Sequence, residues 1–187
     1  INLIEEFFID KHVFHFSEES IKNYFSKVGL DLVSEHIDQF NMTFLLKIGN
    51  SNQIKPTKNF NKIIKEIKDY KLKIEKNRKK IKLVVEKRIN PLLRRQKCAF
   101  WGISRIFNIL CSYGNLQINR DMIMFDTYTY DKLWKSHSKI YHPSYIKIFE
   151  PQVIFILANS NEEFLANKAY ELGVRHVIKF SEMMDQV

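Results

Sequence analysis

Between Phe60 and Gln96 the chain carries 14 Lys or Arg against 4 Asp or Glu, whereas the rest of it carries 16 against 17. The formal charge of +9 therefore belongs to one segment. Within that segment Phe60, Ile63, Ile67, Tyr70, Ile74, Ile81 and Val84 recur at alternating three- and four-residue steps, with Asn77 in the one polar slot. That spacing predicts a long amphipathic helix with a narrow apolar seam, and Pro91 is expected to end it. Helix 60–90 would reach roughly 45 Å at 1.5 Å per residue. Such a length exceeds one small lobe, so the helix is expected to serve as a connecting strut or as a homodimer surface. Its lysines read as a solvated face. Nucleic-acid binding is disfavoured, because no aromatic residues interleave with the basic ones for base stacking.

A length of 187 residues suits one ordinary domain or two small ones. With 45% hydrophobic and 27% charged residues the chain can build a packed core. No uninterrupted apolar run approaches the roughly 20 residues a membrane span needs, and the start at Ile1 shows no leader pattern. Membrane and secretory roles are not expected. Cys98 and Cys111 match no metal-ligand spacing and make no disulfide framework, which fits a cytoplasmic protein without a bound metal. The opening INLIEEFF enters directly into a periodic pattern without an initiating Met, and suggests a piece cut from a longer polypeptide.

Four regions follow from the patterning. Residues 1–50 contain an amphipathic helix after Ser17, a plausible N-cap followed by Glu18 and Glu19 and stopped by Gly29. Strand-like runs then begin at Leu30 and Met42, and the Asp38–Asn41 turn would pair them as a hairpin. Residues 51–59 read as a linker, and 60–96 as the long basic helix. From 97 to 187 short apolar strands alternate with helices, which predicts a small Rossmann-like domain with a parallel sheet. The fold class is therefore α/β. Ligands of such sheets bind at the carboxyl ends of the strands, which here carry Gly102-Ile103-Ser104-Arg105, Asp126-Thr127-Tyr128 and Asn159-Ser160-Asn161.

Gly102 lets the backbone bend at a strand-to-helix turn whose free amides could hold an anion. Arg105 could clamp a phosphate or carboxylate with its planar fork. A purely structural turn accounts for these residues equally well, since the three-glycine dinucleotide fingerprint is incomplete here. Asp126 could accept hydrogen bonds from ribose hydroxyls, or be an ordinary strand-end carboxylate. His12 and His15, three apart before the first helix, could supply a general base near neutral pH, and packing accounts for them as readily. His137 and His142 are tied to no chemistry.

The span FFIDKHVFHFSEESIKNYFSKVGLDLVSEH followed by MTFLLKIG resembles the closing portion of a class I S-adenosylmethionine-dependent methyltransferase. In that family a His-x-x-x-Phe-Ser segment leads into a helix ending in Gly-Phe or Gly-Leu; the matching positions are His12, Phe16, Ser17, Gly29 and Leu30. The later half, from KCAFWGISRIFNIL to PQVIFILANSNEEFLANKAYELGV, resembles the Rossmann-like C-terminal domain of sugar C-methyltransferases. The resemblance implies a part of a methyltransferase acting on a small molecule such as a nucleotide-linked sugar. In it His12 would be the base, and His15, Gly102, Ser104, Arg105, Asp126 and Asn159 would hold the acceptor. The family's Tyr-His-Glu-His segment keeps only its last histidine here, and its glycine-rich donor loop has no counterpart in the 187 residues. S-adenosylmethionine would therefore bind outside this chain. A non-catalytic nucleotide-sugar-binding or assembly module with a dimerising helix is the alternative.

Overall fold

The computed structural model describes residues 16–38, 41–49, 60–135, 137–158 and 161–185. The chain divides into two compact units, one within residues 5–69 and one that includes 70–187. The division falls inside the long helix, between Asp69 and Tyr70, while 51–59 lies outside the described residues.

In the first unit, α1 (Glu18–Lys27) starts at Ser17, whose hydroxyl accepts from the Ser20 amide at 3.2 Å while Ser20 Oγ accepts from the Ser17 amide at 2.8 Å. This reciprocal capping satisfies donors that a helix start leaves open. Gly29, at φ +77°, ends the helix and releases the chain into β1 (Leu30–Ile37). β2 (Met42–Ile48) pairs with it antiparallel from Leu30↔Ile48 to Ile37↔Met42, with an irregularity between Leu32 and Ser34. The expected turn is present at its ends: the Asp38 amide donates to Asn41 O at 3.0 Å and Asp38 Oδ1 accepts from the Asn41 amide at 2.8 Å. Phe25 meets Phe44 edge-on at 5.1 Å, and Lys22 bridges Glu18 at 2.7 Å and Glu35 at 2.5 Å. No described residue of α1, β1 or β2 is buried, and Val33, Leu45 and Ile48 are largely exposed.

The second unit is a three-layer α/β/α sandwich on a five-stranded parallel sheet. Its strands are β3 (Cys98–Trp101), β4 (Ile123–Phe125), β5 (Ile140–Tyr141), β6 (Val153–Ile156) and β7 (His176–Lys179), in the spatial order β5-β4-β3-β6-β7. Alternate residues feed opposite faces. Phe100, Met124 and Phe155 join one core with Ile81, Val84, Phe107, Leu110 and Met183. Trp101, Phe125 and Ile156 join the other with Ile146, Ala166 and Ala169. The helices are α2 (Phe60–Val84), α3 (Asn90–Leu93), α4 (Arg105–Ser112), α5 (Ile146–Phe149), α6 (Glu162–Glu171) and α7 (Phe180–Asp185).

Two expectations about the long helix are corrected. Pro91 does not end it at Asn90: a π-helical turn at Val85–Ile89 precedes α3, so the helix continues to Leu93 with Pro91 near the start of its last turn. A wide turn there accommodates the missing N–H and the bulk of the proline ring, which an unbroken α-helix would not. Nor is the helix only a strut. Ile67 is 51% exposed, but Ile81, Val84, Val85 and Ile89 are fully enclosed in the sheet's core, so the seam expected to be a free pairing surface is used up at its C-terminal end. Arg78 lies over the Tyr113 ring at 4.4 Å and donates to its hydroxyl at 3.2 Å. Among the described residues no helix is long and apolar enough to cross a membrane.

Candidate functional site

Helices α4 and α6 lie on opposite faces of the sheet, because the order reverses between β3 and β6. Chains leaving those two strands therefore diverge, and a crevice at this switch point is where open α/β sheets accept ligands. One wall is the Gly102–Arg105 turn. Asn159, expected on the other, lies outside the described residues, as do His12 and His15.

Gly102 adopts φ +101°, a conformation costly for any residue with a Cβ. A Cβ there would also come within 2.5 Å of Leu157 O. Its missing side chain thus lets the two strand ends approach rather than opening a cradle for a ligand. The Gly102 amide donates to Phe125 O at 3.0 Å and Leu157 N–H to Trp101 O at 2.8 Å, joining three strand ends. After it, Ser104 stands at the N-cap of α4 without a side-chain cap bond, and both Ser104 and Arg105 are exposed. The amides of Arg105, Ile106 and Phe107 have no acceptor within the helix and none elsewhere among the described residues. These donors, the Ser104 hydroxyl and the Arg105 guanidinium all belong to the start of one helix, and they are donor types that suit a phosphate or carboxylate.

Asp126 is 8% exposed and its oxygens are already engaged. Oδ2 accepts from the Ile103 amide at 2.9 Å, and Oδ1 from the amides of Tyr128 and Thr129, each at 2.8 Å. The role expected for it, reading ribose hydroxyls, meets a carboxylate that instead braces the loop after β3 to the loop after β4. Asp126 is a positioning residue, and this use of a strand-end Asp is not distinguishable from a ligand contact by sequence position. In the same loop the Thr129 hydroxyl and the Trp134 indole N–H are shielded from solvent without a hydrogen-bond partner among the described residues.

The two unassigned histidines do structural work. His142 Nδ1 accepts from the Ser144 amide at 3.2 Å and its ring meets Tyr130 edge-on at 5.1 Å; His137 takes φ +63° and donates its amide to Trp134 O at 2.7 Å. Lys179, at the end of β7, is held above its usual pKa by Glu163 and then Glu182, at 2.5 and 3.0 Å. Burial pushes the Cys98 and Cys111 thiols up to about 11, so neither is a nucleophile at neutral pH. No group of three His, Cys, Asp or Glu among the described residues could hold a metal ion.

Sequence patterning points to the carboxyl edge of the sheet and misses the hollows at the opposite one. A cleft of about 820 Å³ opens where β6 and β7 begin, edged by Lys147, Glu150, Gln152, Arg175 and His176. A second, of about 400 Å³, lies under Arg94, Lys97 and Asp121 where β3 and β4 begin. Hydropathy marks strands, not the gaps between the loops that precede them. No protein-family model matches the chain, and no curated protein matches it.

Proposed function

We propose that the lobe built on β3 to β7 binds a small phosphorylated ligand, a nucleotide-linked sugar by the methyltransferase resemblance, at the carboxyl end of β3. The observation that carries this reading is that α4 starts at the sheet's switch point with first-turn amides that have no acceptor among the described residues, in the turn that bears Ser104 and Arg105. Phosphate would accept from the amides and pair with the guanidinium, while Gly102 and Asp126 keep the turn in shape from behind.

We further propose that this lobe is the acceptor-binding part of an S-adenosylmethionine-dependent methyltransferase, with His12 taking the proton from the accepting atom. The hairpin β1–β2 supports the reading: it is a two-stranded sheet with exposed apolar residues, the form of a sheet margin that continues elsewhere. The described residues do not fit the methyl donor. They include no glycine-rich loop, and the one glycine at the β3 turn is closed off by Leu157 O. S-adenosylmethionine, where bound, supplies the methyl group, and the part left to this lobe is to hold and orient the acceptor.

Calorimetry with UDP-glucose and with inorganic pyrophosphate tests the binding site. Arg105→Ala is expected to weaken both at least tenfold, since a charge-assisted contact contributes about 1.5–3 kcal/mol. Unchanged affinity would remove the site from the α4 terminus. Methyl transfer is tested separately with labelled S-adenosylmethionine and UDP-glucose in a polypeptide that joins this chain to a donor-binding methyltransferase portion, with and without the His12→Gln substitution. Ligand binding with no transfer under any condition would favour the non-catalytic module.

A further inference from the structure

We infer that the cleft at the amino edge of the sheet, between the loop that enters β6 and the loop that enters β7, is a second binding site, for a small carboxylate carried on an apolar skeleton. It does not depend on the phosphate site proposed at the start of α4, which belongs to the other edge of the sheet. The cleft has a volume of about 820 Å³, within the roughly 300–1,000 Å³ of small-molecule sites. Ile146, Leu172 and Val174 give it an apolar lining, and Ile146 and Val174 are buried. Gly173 leaves further room, since a Cβ there would meet nothing within 4 Å.

Charge decides what that space can take. Lys147, Arg175 and His176 line it beside one acid, Glu150, and none of these four side chains has a hydrogen bond or ion pair with another described residue. Elsewhere in the lobe exposed cations find partners, as Lys179 does in Glu163 and Glu182, and Lys139 in Asp131. With histidine counted neutral the four sum to +1, which complements a single carboxylate; a dianion would exceed it and face Glu150. Arg175 brings the planar fork that pairs with a carboxylate through two parallel bonds. The C-terminus of α6 could draw a cation here instead. Its last carbonyls, at Lys168, Ala169 and Tyr170, already accept from the amides of Leu172, Val174 and Gly173 at 3.1, 3.1 and 2.9 Å. Those bonds also fix one wall. The other is fixed where the Gln152 and Val153 amides donate to Lys97 O at 2.8 and 3.3 Å and the Lys97 amide donates to Gln152 Oε1 at 2.9 Å. Walls held in place beforehand lose little freedom when a ligand arrives.

The test is amide-resolved NMR titration of the full chain with cinnamate, cinnamyl alcohol and acetate. Cinnamate is expected to shift the Gly173 and Val174 amides to saturation. The alcohol, which lacks the charge, and acetate, which lacks the apolar body, should each bind about tenfold or more weakly. Arg175→Gln should weaken cinnamate about tenfold or more, whereas Glu150→Gln should strengthen it. Both residues are exposed, and a folding defect does not produce responses of opposite sign. Arg105→Ala should leave cinnamate binding unchanged. No shift at Gly173 and Val174, equal binding of the alcohol, or indifference to Arg175→Gln overturns the inference and leaves the phosphate site standing. A response lost in Arg105→Ala would move the ligand to the start of α4 and overturn it as well.

Discussion

Two glycines in left-handed conformations separate the cost of backbone strain from that of crowding. Gly102 and Gly173 have φ of +101° and +94°, yet a Cβ at Gly173 would meet nothing within 4 Å, whereas at Gly102 it would meet Leu157 O at 2.5 Å. Gly173→Ala is therefore expected to cost only the conformational penalty, about 1–2 kcal/mol. Gly102→Ala incurs that and must also force apart the ends of β3 and β6, which are tied by the Leu157 to Trp101 hydrogen bond. Overpacking of this kind adds about 1–3 kcal/mol, for a total of about 2–5 kcal/mol. Urea unfolding followed by tryptophan fluorescence is the assay. The chain's two tryptophans, Trp101 and Trp134, both lie in the lobe being tested, so the signal is free of the first unit. The midpoint should fall for both variants at constant slope, and further for Gly102→Ala. Equal losses would show that the approach of Gly102 to the neighbouring strand is not close, and would refute the account of how the turn is held.

Thr129→Val should leave the lobe as stable or stabilise it by about 1 kcal/mol in the same urea assay, because it replaces a shielded hydroxyl with no partner among the described residues by a methyl group. Asp126→Ala should cost about 3 kcal/mol, since it strips three amides of their acceptor, one of them on the buried Ile103. Ile81→Ala should cost about 2–5 kcal/mol, against under about 1 kcal/mol for Ile67→Ala, the former being fully enclosed and the latter half-exposed. The cysteines give a pH dependence. Their thiols ionise near 9 in an unfolded chain and near 11 in the fold, so the folded state holds protons that the unfolded state releases. Stability should fall as pH rises from about 9 to 11, and iodoacetamide at pH 8 should alkylate the native chain about a hundredfold more slowly than the denatured one.

Much of the architecture can be read from local chemistry. Ser17, the acidic first turn and Gly29 mark α1 because capping is a matter of neighbours in sequence, and the Asp38–Asn41 turn pairs two runs that already favour strands. The apolar stretches at Cys98, Ile123 and Val153 announce buried parallel strands for a similar reason. β5 is invisible by the same logic: two residues carry no periodicity, and Ile140-Tyr141 becomes a strand only because β4 is there to pair with it. The π-turn before Pro91 and the enclosure of Ile81 to Ile89 likewise depend on what the helix packs against, which lies far along the chain. At the candidate site, Gly102, Ser104 and Arg105 are legible as a turn. The duty of Asp126 is not, because a carboxylate facing a ligand and one facing three amides occupy the same place in a sequence.

The docking of the end of α2 decides where this lobe can be cut free. Excision at Lys97, where the sheet begins, would take away Ile81, Val84, Val85 and Ile89 and leave Phe107, Leu110 and Phe155 facing water. A self-sufficient fragment has to start upstream of Arg78, carrying a length of basic helix with it as an inseparable wall.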